Sequence, residues 1–142
     1  MQEKNLKNYV YVCPCCFNHI KECECYMYPD ALIQIDKNIY PIVRELNRKG
    51  YITEACCEGH ISEKREYSNN KIYISFKKTQ KFKIPLPKGF AITADTIWGS
   101  FGGDTNRAKK IKKTKMLNDL YLWVKNLDVK CKYPFFMGKL DE

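Results

Sequence analysis

No stretch of this 142-residue sequence approaches the roughly 18 consecutive apolar positions of a membrane-spanning helix. Its start, Met1 to Val10, is too polar for the apolar segment of a secretory signal. Signatures of an RNA-recognition motif, a helix-turn-helix and the common zinc fingers are also missing. So are an acid pair and a cofactor loop. The glycine-rich run Gly99-Ser100-Phe101-Gly102-Gly103 lacks the Lys-Ser/Thr ending of a P-loop, and reads as a flexible turn. Acidic residues are scarce, 16 against 25 basic, which gives a formal charge of +9 and a pI near 9.1. These absences leave a chain with no membrane role, expected in the cytoplasm. There thiols stay reduced, and metal or thiol chemistry outranks disulfides.

What is present suffices for a core. Hydrophobic residues make up 44% and aromatics 13%, more than a disordered chain carries. The basic excess is local. Residues 1–60 hold 7 basic and 8 acidic side chains, residues 61–116 hold 14 and 4, and residues 117–142 hold 4 of each. A concentration of that kind attracts a polyanion, with an acidic protein surface or a merely solvated face as the alternatives.

The 8 cysteines gather mostly near the start. Cys13 and Cys16 have the C-x-x-C spacing that aims two thiolates at one ion, and Cys23 with Cys25 can supply a second pair. Four thiolates at about 2.3 Å close a tetrahedral Zn2+ site, which is structural because no position stays open. Cys15 and His19 leave the ligand set undecided, since His19 in place of Cys25 would give three sulfurs and one nitrogen. Phe17-Asn18-His19-Ile20 is a poor helix opening for a redox motif. The expected organisation is a zinc knuckle over 1–30 and an α+β domain over 31–142.

Ile39, Ile42, Val43 and Leu46 form a helical stripe, so a helix is predicted over 37–49. Asp36 or Asn38 would cap it, and Gly50 would stop it. Strands are predicted at Tyr51–Ala55, Ile72–Phe76, Phe82–Ile84 and Phe90–Phe101, the last interrupted by Gly99. Helix, strands and helix in that order argue for an antiparallel sheet of three to four strands in an α+β fold.

The turn Cys56-Cys57-Glu58-Gly59-His60 concentrates chemistry. Cys57 and His60 can ligate a second metal, with Cys131 or His19 completing it. Alternatively, Cys57 is a nucleophile passing its proton to His60, with Glu58 as acid or base. The third reading is a buried strand end with an ordinary loop histidine.

The run Leu46-Asn47-x-Lys49-Gly50-Tyr51-x-Thr53-x-x-Cys56-Cys57-x-Gly59-His60, followed by Tyr73-Ile74-x-Phe76, resembles a small family of uncharacterised bacterial and phage proteins. More distantly it resembles the tRNA wybutosine-synthesising methyltransferase family, which carries a Ser-Cys-Ser-Gly-Arg turn at a similar position. Cys57, Gly59 and His60 would match its Cys, Gly and Arg. The resemblance covers about 30 of the 142 residues and excludes the knuckle. It implies a functional turn on an α+β sheet, with RNA as one substrate and a nucleotide- or RNA-modifying enzyme as one outcome.

Arg107, Lys109, Lys110, Lys112 and Lys113 precede an apolar stripe of Leu117, Leu120, Val124 and Leu127. Residues 104–112 carry charge all round, and the packed helix is expected to begin near Lys113. A phosphate backbone could lie there. Lys77 and Lys78 extend the basic set, and Tyr73, Phe90, Trp98 and Phe101 could stack on bases. The leading expectation is a zinc-stabilised nucleic-acid-binding protein, with RNA favoured. Small size, basicity and the phage resemblance also suit an anti-defence inhibitor that binds a host protein or its guide RNA.

Overall fold

Alternation along Lys71–Phe76 sets the architecture: Ile72, Ile74 and Phe76 are buried, while the residues between them are not. Such a strand covers a core on one face only. The computed structural model describes residues 8–25, 32–62 and 69–130. Its elements run β1 (Tyr9–Val12), β2 (Ile33–Asp36), α1 (Tyr40–Arg48), β3 (Thr53–Cys57), β4 (Lys71–Phe76), β5 (Phe90–Thr93), β6 (Thr96–Ser100) and α2 (Asn106–Lys125). A 3-10 turn, Ile20–Glu22, lies between β1 and β2.

The fold is α+β. Among the described residues all pairings are antiparallel, with β1 on β2 in one sheet and the order β3-β4-β6-β5 in the other. Ile74 faces Ile97, and Ile72 faces Gly99. The apolar sides of α1 (Ile42, Val43, Leu46) and α2 (Met116, Leu117, Leu120, Trp123, Val124) join this face in one continuous core. Gly99 keeps its place because a Cβ there would lie 2.8 Å from both the Met116 side chain and the Gly89 carbonyl. On the opposite face Tyr73 meets Trp98, and the Ser75 and Thr96 hydroxyls hydrogen-bond at 2.9 Å.

Three expectations change. The helix begins at Tyr40 without a side-chain cap, because Asp36 and Asn38 bind the 56–60 turn instead. Asp36 accepts the Glu58 N–H, and Asn38 donates twice to the Glu58 carboxylate. Residues 82–84 are not a strand. Phe82 instead plugs the core, its ring 4.9 Å from Trp123, 5.5 Å from Tyr51 and 5.8 Å from Phe76. Pro85 and Pro87 offer no ladder donors to extend pairing there. The span 90–101 is two strands, broken at Ala94 (φ 56°) and Asp95 rather than at Gly99. Gly50, at φ 98°, does end α1 as its sequence position implies.

Candidate functional site

The Cys13, Cys16, Cys23 and Cys25 sulfurs lie within 4.8 Å of one another and can hold a metal ion. A zinc bound at about 2.3 Å would separate its sulfurs by roughly 3.8 Å, which falls inside that limit. The seven described cysteines are all free thiols. Backbone donors already point at the sulfurs: the Cys15 N–H reaches Cys13 Sγ at 3.3 Å, and the Cys25 N–H reaches Cys23 Sγ at 3.2 Å. Burial opposes ionisation of Cys13, yet the N–H groups of Cys16 and Cys15 bring its thiol below its ordinary value. Cys25 is pushed up to about 12, by burial first and then by the crowded thiols of Cys16, Cys13 and Cys23. Four such groups ionise together only around a cation.

The chain between β1 and β2 forms this knuckle, and α1 grips it. Tyr40 donates to the Phe17 carbonyl at 3.0 Å, Arg44 Nη2 to Asn18 Oδ1 at 2.9 Å, and Arg48 Nη1 to the Cys16 carbonyl at 3.0 Å. Phe17 sits at φ 57° in the turn itself. Cys15 and His19 stand outside the four-sulfur group. His19 Nδ1 instead accepts the Lys21 N–H and starts the 3-10 turn.

The 56–60 turn brings a second group together. Asp36, Cys57 and His60 offer ligand atoms within 4.8 Å of one another. They sit where β2 ends beside β3, at the junction of the two sheets. Its sequence position offers Asp36 as a helix cap, and nothing in the spacing ties it to Cys57. The missing signal was β2, since the polar-apolar alternation in Ile33–Asp36 is too short to mark a strand. Of the completing ligands that the sequence offers Cys57 and His60, His19 is not in this group and Cys131 falls outside the described residues. Cys56 turns the other way and packs on the core; burial first, then the Asp36 carboxylate, pushes it up to about 12.

Burial and the Asp36 carboxylate also raise the Cys57 thiol, which leaves it a poor thiolate nucleophile at neutral pH. Glu58 is no freer as an acid or base. It is buried, takes both Asn38 donors and holds Lys113 Nζ at 2.8 Å. Gly59 lies at φ 83°, where an added Cβ would meet the Phe101 ring at 2.6 Å.

The basic side chains separate. Lys77 and Lys78 follow β4, whereas Arg107, Lys109, Lys110 and Lys112 ride the first turns of α2, which begins beyond the other end of the sheet. Six strand residues span roughly 20 Å, so the middle-segment charge occupies two ends of the molecule. Arg107, Lys110 and Lys112 are exposed, and Lys109 is half-buried. Lys113 differs from these, because its Nζ is spent on Glu58 and on the Gly59 carbonyl at 2.8 Å. Phe101 is fully buried and cannot stack on a base; Tyr73, Phe90 and Trp98 are half-buried. Lys71 Nζ stands 5.1 Å from the Trp98 ring centre. A cavity of about 490 Å³ beside the turn is lined by Asn8, Asn38, Glu58, His60, Lys110 and Lys113 among others. Among the described residues no helix is long and apolar enough to cross a membrane. The chain matches no protein-family model, no curated protein and no solved structure.

Proposed function

We propose that the protein is a zinc-stabilised nucleic-acid-binding domain, with single-stranded RNA its preferred ligand, working in a reducing cytoplasm. Soft thiolates in a tetrahedral group favour zinc over hard cations. The observation that carries the reading is the start of α2. Arg107, Lys110 and Lys112 are exposed there, and the first turn holds no acidic residue. The positive end of the helix adds to their field, and such an end suits phosphate. Lys110 also lines the cavity beside His60. The half-buried Trp98 beside Lys71 offers an aromatic face next to positive charge, the pairing that single strands use. The resemblance to a tRNA-modifying family favours RNA over duplex DNA.

A salt titration tests this. Affinity for labelled single-stranded RNA should fall steeply with salt, with a logarithmic slope of about −0.7 per phosphate contact. Replacing Arg107, Lys110 and Lys112 with alanine should flatten that slope by about 2. The same treatment of Lys77 and Lys78, at the other end of the sheet, should leave it nearly unchanged. No binding at low salt, or equal effects from both ends, sinks the reading.

A further inference from the structure

The strongest unassigned chemistry is the group at the junction of the two sheets. We infer that Asp36, Cys57 and His60 form a second divalent-metal site, three-coordinate from the described residues, that takes zinc and leaves a position for water or an anionic oxygen. The donor set is one carboxylate, one thiolate and one imidazole, the mixture that borderline ions such as zinc select. Their ligand atoms already lie within 4.8 Å of one another. His60 Nε2 stands 3.5 Å from Asp36 Oδ2, near the roughly 3.4 Å that separates two nitrogen or oxygen ligands on one tetrahedral zinc.

The hydrogen bonds around the turn point the same way. Cys57 Sγ accepts the N–H of Gly59, two residues on, at 3.3 Å, and Asn69 Nδ2 at 3.4 Å. The N–H donated from two residues on is the arrangement at Cys13 and Cys23 in the four-sulfur group, at 3.3 and 3.2 Å. Donors turned on sulfur stabilise a thiolate and orient it, which is how outer partners tune metal ligands. The Glu58 N–H does the same for Asp36 Oδ2 at 3.0 Å. The backbone of His60 is pinned in turn by a two-way bridge to Asn69, at 2.7 and 2.8 Å. The Asp36 and Cys57 ligand atoms and the backbone that carries His60 are therefore held before any ion arrives.

The surroundings distinguish this group from the knuckle. Two of the four knuckle cysteines are buried and its ligands are complete, whereas the His60 side chain is 46% exposed and lines the cavity that also contains Lys110. A site with three protein ligands and solvent access has the form of a catalytic or ligand-exchanging centre. An anionic oxygen entering the vacant position would have the Lys110 ammonium on the same cavity wall.

Elemental analysis of the full chain, dialysed against metal-free buffer, tests the site without any activity assay. Wild type should hold a second equivalent of zinc beyond the knuckle's, and Cys57→Ser or His60→Ala should lose that equivalent alone. Asp36→Asn keeps an oxygen for the Glu58 N–H, so it should remove the metal without disturbing the turn, and circular dichroism should confirm folding. Cobalt added after chelation mild enough to leave one zinc equivalent, the knuckle's, in place should give thiolate-to-cobalt absorption that Cys57→Ser abolishes and Cys56→Ser leaves intact. One zinc per wild-type chain, or a second zinc kept by folded Asp36→Asn and Cys57→Ser proteins, overturns the inference. Both readouts are independent of RNA binding.

Discussion

At the scale of single residues, the 56–60 turn is constrained from several sides at once. Gly59 combines a left-handed φ of 83° with a Phe101 ring 2.6 Å from where a Cβ would stand. Neither demand leaves room for a side chain. Gly59→Ala should therefore cost about 2–4 kcal/mol, from strain and overpacking together, read as a lower urea midpoint. Phe101→Leu should relieve part of that loss if the ring is the obstacle. Glu58 and Lys113 present the complementary case, an ion pair at 2.8 Å whose side chains are 4% and 14% exposed. Removing one partner strands the other, so Lys113→Met should cost about 3 kcal/mol or more. Replacing both, with Glu58→Gln added, should recover stability rather than lose more. A double-mutant cycle in urea checks the sign of that coupling, and additive losses would show that the pair is not an interacting unit.

Among the elements, α2 shows how local signals and distant contacts divide the work. Its first turns follow the sequence plainly: Thr105 caps the start by accepting the Ala108 N–H at 3.0 Å. Its end depends on a residue far away in the chain. Lys49 Nζ donates to the carbonyls of Val124, Lys125 and Leu127 at 2.9, 3.0 and 2.7 Å, answering the negative end of the helix. Lys49→Met should cost about 1–2 kcal/mol and speed amide exchange in the last turn of α2, while the first turns stay as they were. The same division explains what was legible beforehand. The α1 stripe, β4 and the packed part of α2 were readable, because each carries its periodicity over several turns or pairs. The knuckle was readable from cysteine spacing, but spacing left Cys15 and His19 open as ligands, and only the fold groups Cys13, Cys16, Cys23 and Cys25. The strands β1 and β2 were not, since four residues each give too little alternation and their pairing spans the knuckle. Asp36 went unrecognised as a companion of Cys57 for that reason. Phe82 and Ile84 misled in the opposite direction, because alternation records burial and cannot tell a paired strand from a loop that plugs a core.

Across the whole molecule, the question is whether the knuckle is a bead on the chain or part of the folding unit. Val12, Phe17 and Ile35 belong to the same core cluster as β4 and α2. The α1 side chains Tyr40, Arg44 and Arg48 reach Phe17, Asn18 and Cys16. The four-sulfur group therefore closes a loop whose walls are shared with the main core. In small metal-dependent domains the ion supplies about 10–16 kcal/mol of apparent folding energy, while a whole domain is stable by only about 5–15 kcal/mol. Even a fraction of the first quantity is large against the second. A strong chelator should thus lower the melting temperature of the entire chain in a single transition. Far-ultraviolet circular dichroism, which reports α2, should then move together with Trp98 and Trp123 fluorescence. Acidification should act in the same direction, because thiolates must be protonated to release the ion. The opposite outcome is equally clear: α2 and the tryptophans unmoved by chelation while the first 25 residues become labile to protease. That pattern would make the knuckle an independent module, and the contacts from α1 a docking surface rather than shared core.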